Sequence, residues 1–215
     1  MDGQFISFQS HYSLIVDNLF DSSHAKYVHP TTLGAPGLLA QRGDESQATF
    51  DAEVGKDKIH YTLDIANGVG GQIVHDGLGK RMGIDSYMEP VDWHLEVAWA
   101  VPAFFVFDSD AKVAGADKSE SARFCTFHAI TPETETSCHY FYRTVERLDE
   151  GRQSLCQFWH EGTTIAFNED KRIIEAQQRV IGEHKPFDSD TWGVFKVDEL
   201  GMVARNMIRQ AQAAN

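Results

Sequence analysis

No stretch of this sequence approaches 18 uninterrupted apolar residues, which excludes a transmembrane helix of ordinary length. The opening Met-Asp-Gly-Gln-Phe has no basic segment followed by an apolar one, so it does not read as a signal peptide. Cysteine is scarce. Cys125, Cys138 and Cys156 are an odd number in a fairly large chain, which fits a reducing cytoplasm better than a disulfide framework. Positive charge is in deficit, with 19 Lys and Arg against 32 Asp and Glu and a formal net charge of −13. Nucleic acid and anionic membrane are polyanions, so both are excluded as partners. There is no internal repeat, no low-complexity tract and no Pro/Ser-rich linker. The segment Gly68–Gly83 is rich in glycine, yet it lacks the terminal Lys-Ser/Thr of a phosphate loop and reads as a flexible loop.

What is present is enough apolar material for one sizeable core. Hydrophobic residues are 42 % of the 215, including 14 Phe, 4 Trp and 6 Tyr, and one domain over residues 1–215 is expected. Apolar residues recur at helical spacing over 12–28, and Pro30 predicts the end of that helix near His29. Residues 31–46 read as loop. Alternation then predicts strands within 47–66, two strands over 91–107 broken at Pro102, and two more over 122–130 and 136–148 joined by a turn at Pro132. A long helix over about 152–182 and an amphipathic one over 197–212 close the chain. Helix, antiparallel strands and long helix in that order predict an α+β fold, a curved sheet gripping a helix.

Two groups of residues carry candidate chemistry. On an ideal helix Asn18, Asp21, His24 and His29 fall within an arc of roughly 140°. The spacing of five between the histidines is unusual for two ligands of one metal, which usually stand four apart, so the helix must bend or end between them. The competing reading is a helix with two surface histidines. The second group is Asp170. Its neighbours Ala166, Phe167, Ile173 and Ile174 are all apolar, which aims the carboxylate at the core. A carboxylate there needs a partner. Two imidazoles and a divalent ion would supply one, giving the facial triad of non-haem iron oxygenases. An arginine or a buried hydroxyl would serve as well.

Longer motifs carry a resemblance. Asn18-Leu-x-Asp21-x-x-His24-x-x-x-x-His29 resembles the iron-binding helix of Rieske non-haem iron aromatic-ring oxygenases. Ile130-Thr-Pro-Glu-Thr-Glu-Thr-Ser-Cys-His-Tyr-Phe141 and Glu169-Asp170-Lys171 are similar to the branch of vanillate O-demethylase and dicamba monooxygenase, and Asp198-x-x-Gly201-x-x-Ala-Arg205 resembles the family's closing helix. The resemblance implies a helix-grip (Bet v1/START-like) catalytic domain with mononuclear Fe(II) on His24, His29 and Asp170. It places Asn18 near the iron and makes Asp21 a bridge toward a neighbouring subunit's cluster. His128 would line the substrate pocket. It further implies an aromatic substrate, O2, an electron-transfer reductase or ferredoxin, and a homotrimer in the full-length form. Monooxygenation or O-demethylation is favoured over ring dioxygenation. Cys125-Thr-Phe-His128 has the spacing of one half of a Rieske motif, but Cys138-His139 fails as the other half. The [2Fe–2S] cluster is therefore expected on a missing domain or a partner. The alternative is a metal-free helix-grip module that binds an apolar small molecule. His11, His60, His75, His94, His160 and His184 are scattered and draw no role, and the direction in which His139 faces is left open.

Overall fold

The computed structural model describes residues 4–34, 48–84, 89–117, 120–146, 153–183 and 196–213. Seven antiparallel strands form one sheet: β1 (Gln4–Phe8), β2 (Ala48–Val54), β3 (Lys58–Gly68), β4 (Val91–Ala100), β5 (Phe104–Val113), β6 (Ala122–Thr134) and β7 (Ser137–Val145). Their order is β1-β7-β6-β5-β4-β3-β2, so the chain meanders from β2 to β7 while the opening strand closes the far edge beside β7. Among the described residues five α-helices accompany the sheet: α1 (Tyr12–Phe20), α2 (Ala25–Val28), α3 (Gln72–Met82), α4 (Cys156–Ile181) and α5 (Glu199–Ala213).

The period-2 pattern decides which face is covered. On β7, Cys138, Tyr140, Tyr142 and Thr144 are buried while Phe141 and Arg143 are exposed. On β6, Phe124, Thr126, His128 and Ile130 turn inward. The 26-residue α4 buries Trp159, Thr163, Ala166, Phe167, Asp170, Ile174 and Gln178, a stripe at helical spacing. Its first half packs with α3 and the β4–β6 strands around Trp159 and Phe124. Its second half packs with α1, α5 and the inner residues of six strands. The expected α+β arrangement, an antiparallel sheet on a long C-terminal helix, is the one found.

Three expectations are corrected. The helix over 12–28 is two helices. It stops at Phe20, because Asp21 leaves the helical region and its Oδ1 accepts a hydrogen bond from the Ser23 backbone N–H at 2.8 Å. Asp-Ser-Ser offers the backbone this local alternative to a helix. The segment Gly68–Gly83 is not a loop, since Gln72–Met82 is α3. Its glycines serve close packing: a Cβ on Gly77 would meet the Trp159 ring at 1.8 Å, and one on Gly162 of α4 would meet Ile73 at 2.3 Å. Gly83, at φ 75°, ends α3 in the left-handed conformation. Finally, Pro132 lies inside β6 opposite Cys138, and the turn is at 135–136. Pairing of β6 with β5 ends at Ala129, so beyond it, among the described residues, one side of β6 has no neighbouring strand to miss the proline's N–H. Most of the expected 31–46 loop lies outside the described residues.

Candidate metal centre

The short helix α2 gives the histidines their geometry. His24 stands at the N-cap of α2 and His29 at its C-cap, just before Pro30. α2 is a single turn that ends at His29, whose φ of −116° and ψ of 58° lie outside the helical region, and the two rings meet from its two ends. His24 Nε2 and His29 Nε2 are 3.2 Å apart. Asp170 Oδ1, from the buried stripe of α4, is 3.0 Å from His29 Nε2 and 3.4 Å from His24 Nε2. Asn18 Nδ2 donates to the same Oδ1 at 3.1 Å.

Burial alone would lower the His24 imidazole, but the Asp170 and Asp21 carboxylates outweigh it and raise its pKa to about 9. His29 is likewise raised against burial by Asp170 and then Glu169. Asp170 is lowered by the two imidazoles, again against burial. Such a cluster stabilises positive charge at its centre, whether that charge is carried by protons or by a cation. The donor atoms also have a suitable spacing. Neighbouring ligands of an octahedral ion with bonds of about 2.1 Å stand about 3 Å apart. Among the described residues no other group of three His, Cys, Asp or Glu side chains closes to a comparable size.

The remaining candidates take different places. Asp21 is partly exposed, with Oδ2 3.7 Å from His24 Nδ1, an ion-pair separation longer than a hydrogen bond. Burial pushes Asp21 up, but His24 and the Ser23 groups hold it at about 2. His128 sits deeper, within a cage of Phe107, Tyr140 and Phe167. Its Nδ1 is 2.5 Å from Tyr140 Oη and its Nε2 is 2.7 Å from Thr126 Oγ1, so both ring nitrogens are engaged. Phe167 of this cage lies one turn before Asp170 on α4.

Sequence reasoning did not single out Glu169 or Thr32. Glu169 Oε2 is 2.9 Å from His29 Nδ1 and accepts from Thr32 Oγ1 at 3.0 Å. The signal was present in the adjacency of two acids, because successive helical residues point about 100° apart and can flank one ring. The role of α3 was also missed. Its first backbone N–H groups, from Gln72 and Ile73, donate to the carbonyls of Gly34 and Thr32 at 2.8 Å each. A Cβ on Gly71 would meet the Leu33 carbonyl at 2.5 Å, and one on Gly34 the His29 carbonyl at 2.6 Å. The turn carrying His29 is thereby seated on the N-terminus of α3.

The comparisons agree with this architecture. A toluene-4-sulfonate monooxygenase system iron-sulfur subunit of Comamonas testosteroni is 28 % identical over 186 residues, covering 83 % of this chain and 50 % of that protein. The dicamba O-demethylase oxygenase component of Stenotrophomonas maltophilia is 30 % identical over 172 residues, covering 78 % of this chain and 46 % of that protein. The chain thus spans about half the length of the curated relatives it matches. The crystal structure of dicamba monooxygenase bound to 3,6-dichlorosalicylic acid superposes with a TM-score of 0.70 at 22 % identity, over 100 % of this chain and 60 % of that one, so the fold is shared. Residues 8–214 match the family model described as the vanillate O-demethylase oxygenase C-terminal domain, and the chain belongs to that family.

Proposed function

We propose that residues 1–215 act as the mononuclear-iron catalytic domain of an oxygenase that hydroxylates or O-demethylates an aromatic substrate. The observation that carries this is the convergence of His24 Nε2, His29 Nε2 and Asp170 Oδ1 within 3.4 Å of one another. Two imidazoles and one carboxylate, with further coordination positions left open, form the ligand set of non-haem iron(II) oxygenases. When bound, Fe(II) supplies the activation of dioxygen that lets a C–H bond be hydroxylated or an aryl ether lose its methyl group.

The chain's own residues prepare that chemistry. His29 and Asp170 are buried and keep bulk water from the centre. Asn18 orients the Asp170 carboxylate through its amide and does not itself serve as a ligand. Asp21, the partly exposed acid beside His24, links the centre to an electron donor on another subunit. The donor is a [2Fe–2S] Rieske cluster carried outside these residues and fed by a reductase or ferredoxin, in keeping with the iron-sulfur subunit among the relatives. His128, held by Tyr140 and Thr126, shapes the pocket wall for the aromatic ring. Three free cysteines suit a reducing cytoplasm, and assembly as a homotrimer brings the neighbouring donor to Asp21. Monooxygenation or O-demethylation is preferred over ring dihydroxylation, after the chemistry named for the relatives.

The test is metal content. Reconstituted anaerobically, the chain should retain one Fe(II), and Asp170→Ala and His29→Ala should each retain almost none. Iron in those variants equal to wild type, by emission spectrometry, would refute the assignment. With iron in place, oxygen uptake on an aryl methyl ether should require the added reductase and iron–sulfur partner.

A further inference from the structure

The geometry points to Glu169 as a positioning residue that fixes the tautomer and ring orientation of His29, so that Nε2 is the nitrogen offered to the metal. The inference rests on the metal reading above and adds to it a residue outside the three ligands.

His29 is fully buried, so its ring nitrogens depend on protein partners. Nε2 faces Asp170 Oδ1 and His24 Nε2. Nδ1 faces Glu169 Oε2 at 2.9 Å. Both nitrogens face a carboxylate that only accepts, so once a cation lies between Nε2 and Asp170 Oδ1 the ring hydrogen sits on Nδ1 toward Glu169, and Nε2 offers its lone pair to the metal. Glu169 Oε2 also accepts from Thr32 Oγ1 at 3.0 Å, which holds the carboxylate from a second direction. Thr32 is itself buried, and its carbonyl takes the Ile73 N–H of α3. Glu169 and Asp170 thus clasp His29 from its two nitrogen edges, one acid orienting the ring and the other sharing the cation. Carboxylates that accept from the far nitrogen of a metal-bound histidine raise its basicity, and removing them typically costs about 10–100-fold in metal affinity.

The experiment is a titration of the purified chain with Co(II), a spectroscopic stand-in for Fe(II), in competition with a chelator, at pH 7.5. Wild type, Glu169→Gln, Glu169→Ala, Thr32→Val and Asp170→Ala are compared, with thermal melts of the metal-free proteins. E169A should bind Co(II) about 10–100-fold more weakly and alter its visible d–d bands. E169Q, which retains an acceptor oxygen, should fall between E169A and wild type, and T32V should show a smaller loss in the same direction. If E169A fails to fold, E169Q alone decides, by a weakened affinity at an unchanged melting temperature. Wild-type affinity and spectrum in both Glu169 variants, with D170A unable to bind, would overturn the role of Glu169 and leave the metal reading standing. Failure of wild type to bind would overturn both.

Discussion

At the scale of single residues, His128 gives the sharpest expectation outside the cluster of His24, His29 and Asp170. Burial among Phe107, Tyr140 and Phe167 lowers its pKa to about 3, so the folded protein keeps it neutral. An unfolded chain takes up that proton below about pH 6.5. The contribution is therefore complete above pH 6.5 and declines as the pH falls toward 3, by at most about 1.4 kcal/mol per pH unit. Urea unfolding at pH 7.5 and pH 5.0 should show wild type losing more stability than His128→Gln over this interval, and equal losses would contradict it. His24, His29 and Asp170 were legible because motif order and apolar surroundings both pointed to them. Glu169 was not singled out, since the adjacency of two acids gains meaning only when the His29 ring is placed beside them.

At the scale of elements, periodicity fixed the strands well because burial on one face forces alternation, as Cys138, Tyr140 and Tyr142 illustrate. It failed for α3 because glycine lowers helix propensity, and only the opposing surface of α4 explains why glycine is there. The explanation can be measured. Gly77→Ala would drive a methyl into the Trp159 ring, which a Cβ approaches to 1.8 Å. A loss of about 1–3 kcal/mol in chemical denaturation is expected from such overpacking, although alanine favours helix more than glycine does. Adding Trp159→Leu should restore part of it through the coupling of touching residues. A Gly77→Ala protein as stable as wild type would mean that the α3–α4 contact tolerates separation. The helix end at His29, just before Pro30, was anticipated from the spacing of five between the histidines, whereas the break between α1 and α2, which precedes both of them, was not. Pro30 drew attention to the far end, while Asp21 and Ser23 made the turn.

At the scale of the whole molecule, the two ends of the described chain are tied together. Arg205 of α5 grips Asp17 of α1 with two hydrogen bonds, Nε to Oδ1 at 2.8 Å and NH2 to Oδ2, across 188 residues. Burial still pushes the Asp17 carboxyl above its ordinary range despite the arginine. Arg205→Met should leave that acid unpaired and cost about 1–3 kcal/mol, discounted for partial exposure, whereas Arg205→Met with Asp17→Asn should cost less. Melting temperatures of the two proteins test this, and equal values would show the pair to be inert. Asp17 precedes Asn18, so the same tie steadies the helix end from which Asn18 reaches Asp170. Distance along the chain has a last consequence for biosynthesis. Two donors emerge from the ribosome within the first thirty residues, and the third follows 141 positions after His29. A polypeptide shorter than 170 residues cannot bring all three together, so the cluster closes only when α4 has been made and has docked onto the sheet.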